Sequence, residues 1–222
     1  MKDERELATV ELLGALTYAQ LRAFEVTARA VRVAPDARAA DRVAEFASRE
    51  HAAYVTLRDH LVSLTDLGVP VIDRQKARVD DYFDRVPTGE SWVGACAFFA
   101  TGLPLVSDFV DGLAPVLDDA TAQVVVSVLA DRSAFHEYAT EELAGMMIDD
   151  PEVTDEVRHL VADLTGRALT QFQGAIADTD ALEVLLRTGD DDADAGRVRN
   201  MAITVLDGHR RRMHALGIQD PE

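Results

Sequence analysis

Between residues 43 and 64, the apolar positions Val43, Phe46, Ala47, Tyr54, Leu57, Leu61 and Leu64 recur in alternating steps of three and four, which is one stripe of a helix. Glu50 falls in the same series, so an acid stands where a core residue belongs. Unpaired and buried, it would be destabilising or would take up a proton. The fold must therefore set a metal, a base or hydrogen-bond donors opposite it.

The same periodicity runs through the rest of the chain. A first helix is predicted over about 2–33, with Leu13, Thr17, Gln20, Phe24 and Val31 near its inner face and Glu25 beside them. Pro35 ends it and Asp36 caps the next. Gly68 and Pro70 open a connection of about twenty residues that includes Asp80, Asp81 and Asp84, read as a crossover, a functional loop or a surface strap. A third helix begins near Glu90 and uses Trp92, Ala95, Phe99, Gly102, Val106, Phe109 and Leu113, with a kink at Pro104. Asp118 caps a fourth, whose inward series is Val124, Val128, Asp131, Phe135, Tyr138, Glu142 and Met146. Asp150, Pro151 and Glu152 start a fifth helix that continues or restarts toward Leu186, and a last helix spans 195–216 and stops at Gly217. The tract at 190–194 reads as a solvated acidic linker. No strand-like alternation and no glycine-rich phosphate loop occurs, so the fold class is all-α.

Composition narrows the function classes. With 222 residues, 48% hydrophobic and 28% charged, the chain can bury a sizeable core as one domain, 1–222, with a core bundle over about 2–149 and added helices over about 151–187 and 195–217. A net charge of -18 disfavours nucleic acid at long range, and the one basic cluster is Arg210, Arg211 and Arg212. The charged opening, from Lys2 to Glu6, precedes no cleavable apolar segment, so the expected compartment is the cytoplasm. The longest uncharged run, 91–107, falls short of the roughly 20 residues of a membrane span and reads as a core helix. The single Cys96 excludes an internal disulfide and a cysteine zinc site, and reads as packing. No serine or cysteine nucleophile has a base at recognisable spacing.

Several stretches resemble one family. The run 166–173 from Gly166 to Gln173, the following 178–182, and the ending 208–217 with His209, Arg210, Arg211, Arg212 and His214 resemble actinobacterial ferritin-like proteins related to the tRNA-modifying di-iron hydroxylase MiaE. So do 12–18, 54–59 and Ser107-Asp108-Phe109. The resemblance implies a ferritin-like four-helix bundle with two additional C-terminal helices and, in active members, two irons and O2-dependent hydroxylation. Such sites take one carboxylate from each of two helices and an acid-x-x-His pair from each of the other two.

Carried over residue by residue, the ligand positions are poorly kept. The first helix offers Gln20, a neutral amide. The second keeps Glu50, but its histidine slot is Ala53, and His51 points about 100 degrees away. The third helix has no carboxylate between Thr101 and Leu105. The fourth keeps Asp131, while its histidine slot is Ala134 or Phe135, with His136 just off that face. Only Glu156 and His159 have acid-x-x-His spacing, outside the expected core site, and they read as a surface pair. Glu25, Glu137 and Glu142 could substitute as ligands but read as helix-surface residues.

The sequence therefore supports a ferritin-like, MiaE-like bundle with a degenerate di-iron site, in which Glu50 and Asp131 bond to neutral partners such as Gln20, Thr17, Tyr54 or Tyr138. Its function would be non-catalytic binding or scaffolding, with no cofactor and no catalytic residue. The alternative is an O2-dependent non-haem iron hydroxylase with ligands rearranged among Gln20, Glu25, Glu50, His51, Asp131 and His136, using iron. A homodimer or protein partner and a small apolar ligand are compatible with the first reading; tRNA is disfavoured without being excluded, and no membrane partner is expected.

Overall fold

The computed structural model describes residues 2–129, 132–178 and 180–218, and every regular element among them is helical. Helix α1 (Lys2–Ala30) lies along α2 (Ala37–Leu64). The turn between them is set by Asp36, whose carboxylate accepts the Ala39 amide at 2.8 Å. Leu13 and Val26 of α1 meet Val43 and Leu61 of α2 in the core, all fully buried. The stripe read from the sequence is therefore the buried one, except that Tyr54 is half-buried and Leu64, in the last turn, is exposed.

The connection after α2 is helical, which corrects its reading as a loop. Helices α3 (Gly68–Arg74) and α4 (Lys76–Phe83) pack on α1 and bury Val71, Ile72, Tyr82 and Phe83. Gly14 makes this possible, because a Cβ there would run into the Val71 side chain. Two short helices separated by a single residue were illegible because neither is long enough to show a period.

Ser91 caps α5 (Trp92–Ala97), which runs into a π-helical segment, Phe98–Gly102, and then α6 (Leu103–Leu113). The widened turn precedes Pro104, which offers no amide and crowds the carbonyl four residues back. The expected kink therefore takes the form of a π segment, where the Leu103 amide reaches the Phe98 carbonyl. Trp92–Val116 is the one helical stretch among the described residues long and apolar enough to cross a membrane, and 72% of its most apolar window is buried inside the bundle, the position of a core helix.

Asp118 caps α7 (Asp119–Leu129), accepting the Thr121 amide at 3.0 Å. One helix is expected here; among the described residues it is seen as α7 to Leu129 and as α8 (Ser133–Asp149), with Arg132 in a 3-10 turn immediately before α8. Asp131 lies outside the described residues. Phe135 stacks between Phe46 and Phe99, with ring centroids 4.0 and 4.3 Å away, tying α8 to α2 and to the π segment. Helices α9 (Pro151–Asp178) and α10 (Asp180–Leu186) cover α5, α8 and α1.

The last helix, α11 (Asp191–Ala215), packs on α6 and begins inside the acidic tract, not after it. Asp190 caps it by accepting the Asp192 amide at 3.0 Å, and acids favour a helix N-terminus for dipole reasons, so this tract is a helix start and not a linker. Its end is as read: Gly217 has φ +67, and the Ile218 and Gly217 amides return to Met213 and His214 carbonyls.

Candidate functional site

Helices α1 and α2 bring Gln20 and Glu50 together in the core, 3% and 5% exposed. The Gln20 amide nitrogen donates to the Glu50 backbone carbonyl at 3.0 Å and to its carboxylate oxygen Oε2. Into the same space comes Arg132, the residue that leads into α8. Its Nε donates to Glu50 Oε1 at 3.1 Å, and its Nη2 donates to Glu50 Oε2 and to the Gln20 side-chain oxygen, both at 2.7 Å. Nη1 reaches Ser107 Oγ of α6 at 3.4 Å. One guanidinium, carried just before α8, thus ties together α1, α2 and α6.

This is the two-pronged guanidinium–carboxylate fork, the geometry in which arginine holds an acid best. It answers the demand made by the buried acid: one positive charge opposes one negative, and both Glu50 oxygens are hydrogen-bonded. The expectation of neutral partners is met by Gln20 alone; the principal partner is a cation, which corrects that reading. The sequence pattern does not point to Arg132, because the inward series runs through Asp131 and adjacent helical residues point about 100 degrees apart. A usable signal was present: Arg132 is the only lysine or arginine between Arg85 and Arg158. A lone cation in a stretch whose other charged residues are all acids needs a reason.

The other residues singled out in the sequence lie apart. Glu25 is on the exposed face of α1, 3.0 Å from Arg22 and 3.8 Å from Arg29. His51 is exposed, its ring edge-on to Phe24 at 5.2 Å. Ala53, where a histidine would be expected, lines an opening of about 280 Å³ that reaches Glu50 and Arg132 from solvent. His159 is exposed, with Nδ1 2.7 Å from the Asp155 carbonyl oxygen. Glu142 accepts from the Trp92 indole at 3.3 Å.

His136 is half-buried on α8, and its Nδ1 has no hydrogen-bond partner. Desolvation, then the nearby Arg212 charge, hold it below the usual histidine range; a hydrogen bond to the Ala100 backbone and the charges of Glu137 and Asp108 oppose this without winning. Ala100 is four residues before Pro104, so its carbonyl lacks the usual α-helical donor. Arg212 is 7% exposed and bonds Asp108 at 2.6 Å, so within the basic ending only Arg210 and Arg211 of the three arginines face solvent. Cys96 is fully enclosed, and burial pushes its thiol up, consistent with a packing role.

Among the described residues, no three histidine, cysteine or acidic side chains converge as metal ligands would. The donor set at the centre is one carboxylate and one amide, with the lone pairs that face inward engaged by Arg132 and by each other. Compared with known proteins, the family model described as a ferritin-like domain of actinomycetes matches residues 3–189. No curated protein matches the chain.

Proposed function

Because the chain belongs to the actinomycete ferritin-like domain family, we propose that it is a metal-free member, in which an arginine has taken the place of iron and the bundle serves as a non-catalytic binding or scaffold protein. The observation that carries this is the Arg132 fork on Glu50 and Gln20. A di-iron centre of this architecture draws on four carboxylates and two histidines. The residues present do not fit that pair: the first-helix position is an amide, the second-helix histidine slot is Ala53, and His51 points to solvent. A guanidinium cannot be deprotonated in a protein, so Arg132 holds its charge against incoming cations. Within the family, the similarities at 12–18, 54–59, 107–109 and 208–217 support placement near the MiaE-like members.

The test is elemental analysis of the full chain purified aerobically without chelators. Iron, manganese and zinc each well below one atom per chain are expected, and supplementing growth with iron should not change this. About two irons per chain, lost in Glu50→Ala while the helical circular dichroism persists, would replace this reading with that of an iron-dependent hydroxylase.

A further inference from the structure

Helix α11 carries two opposed stripes. Met201, Val205, Gly208 and Arg212 recur in steps of four, three and four and are buried, on the side where α11 packs on α6. Arg199, Ile203, Leu206 and Arg210 recur in the same steps two residues earlier, and all four are exposed, Ile203 at 46% and Leu206 at 40%. Between residues 197 and 214 stand five arginines and one acid, Asp207, in a chain of net charge -18. Asp207 is held by Arg210 at 3.2 Å, whereas the exposed Arg199 and Arg211 have no ion pair among the described residues. Dipole attraction accounts for arginines in the last turn of a helix, but not for two large aliphatic side chains set among arginines in solvent.

A surface of opposite character lies at the turn from α8 to α9. Ile148 is 83% exposed there, flanked by exposed Asp149, Asp150, Glu152 and Glu156, none of them in an ion pair among the described residues. Acids suit the start of α9; an isoleucine held in solvent beside them does not follow from that. The two surfaces lie at opposite ends of the bundle. Helix α11 stands beside the end of α6, where a Cβ on Gly112 would meet Met201 and where Arg212 bonds Asp108. Helix α8 runs the other way, from His136 near Ala100 to Glu142 on the Trp92 indole, and Ile148 lies about 9 Å further along by helical rise. Because α5, the π segment and α6 together span about 30 Å, the two surfaces do not meet within one chain.

We propose that the occupant of the α11 stripe is a second copy of this chain, presenting its α8–α9 turn, with Ile148 against Ile203 and Leu206 and the acids of the turn on Arg199 and Arg211. A two-fold contact through either surface would set arginine on arginine or acid on acid, so the match is head to tail. At physiological salt, charges more than about 8 Å apart are screened, so the facing patches and not the net -18 decide close approach. Three aliphatic side chains and a few ion pairs make a weak interface, populated as concentration rises. This goes beyond the scaffold reading by naming a partner, and it does not depend on the metal content of the centre.

The test is analytical ultracentrifugation of the full chain in about 0.15 M salt. The weight-average mass should rise above one chain by about 0.1 mM and continue past two, because a head-to-tail contact leaves a free face at each end. Ile203→Glu/Arg211→Glu breaks the α11 face and Ile148→Ser/Glu156→Gln breaks the turn, so each variant alone should stay monomeric. An equimolar mixture of the two should recover association and stop at two chains, since each keeps the face that the other lacks. If either double variant loses its helical circular dichroism, Arg211→Glu or Ile148→Ser alone replaces it. A wild-type chain that stays monomeric, association that survives in either folded variant, or a mixture that stays monomeric would overturn the proposal. Elemental analysis decides the metal-free reading separately.

Discussion

Replacing Arg132 with leucine would strand the Glu50 carboxylate at 5% exposure with only the Gln20 amide to hold it. Breaking a buried pair from one side costs about 3–5 kcal/mol, whereas removing both charges is often close to neutral. Urea unfolding at neutral pH should therefore find Arg132→Leu strongly destabilised and Glu50→Leu/Arg132→Leu much nearer wild type. Equal losses would mean that the pair contributes nothing specific. His136 gives a pH-dependent signature. Its folded pKa lies below the ordinary histidine value, so as pH falls the unfolded chain takes up the proton first and stability drops, from about pH 6.5 down to the folded pKa. His136→Gln should flatten that acid limb of the stability curve, as urea midpoints at several pH values would register. At this scale the sequence disclosed that Glu50 needs a partner and that His51 cannot be an inward ligand, since both follow from helical angle alone. It did not disclose Arg132, because helical register sets that side chain about 100 degrees from the position given to its neighbour Asp131.

The elements differ in how plainly they were written. Caps at Asp36, Asp118 and Asp190 and the stop at Gly217 are local chemistry, a side chain or a left-handed residue meeting the nearest free amides. Pro104 announced a disturbance of the third helix but not its form. The π segment depends on Gly102 as well: a Cβ there would lie 2.5 Å from the Phe98 ring, which is itself fully buried. Gly102→Ala should consequently cost about 1–3 kcal/mol, the range for overpacking a core, against the gain that alanine normally brings to a helix. A stability equal to or above wild type in thermal melts would show that the segment relaxes into an ordinary α-helix. Helices α3 and α4 escaped the sequence reading because their fold comes from what they cover: Val71 against Gly14, and Tyr82 and Phe83 against the core.

For the molecule as a whole, the charge of -18 is the dominant electrostatic fact. Among the described residues, most ion pairs, such as Arg42 with Glu45 and Arg85 with Asp81, lie on the surface, where each is worth little. Screening general repulsion should outweigh screening these pairs, so the melting temperature should rise as salt is raised from low levels to about 0.15 M. A fall in differential scanning calorimetry would place the surface pairs ahead of the net charge. By itself the sequence determined the all-helical class, the order of the long helices and the inward face of Glu50, because periodicity, caps and breakers act within a few residues. Only the tertiary structure decided what meets Glu50, how Tyr82 comes to line a cleft and why Arg212 turns inward to Asp108. The Glu50–Arg132 and Asp108–Arg212 contacts join residues 82 and 104 positions apart in the chain, and Tyr82 lines its cleft only because separate helices pack around it; no local pattern encodes contacts of that kind.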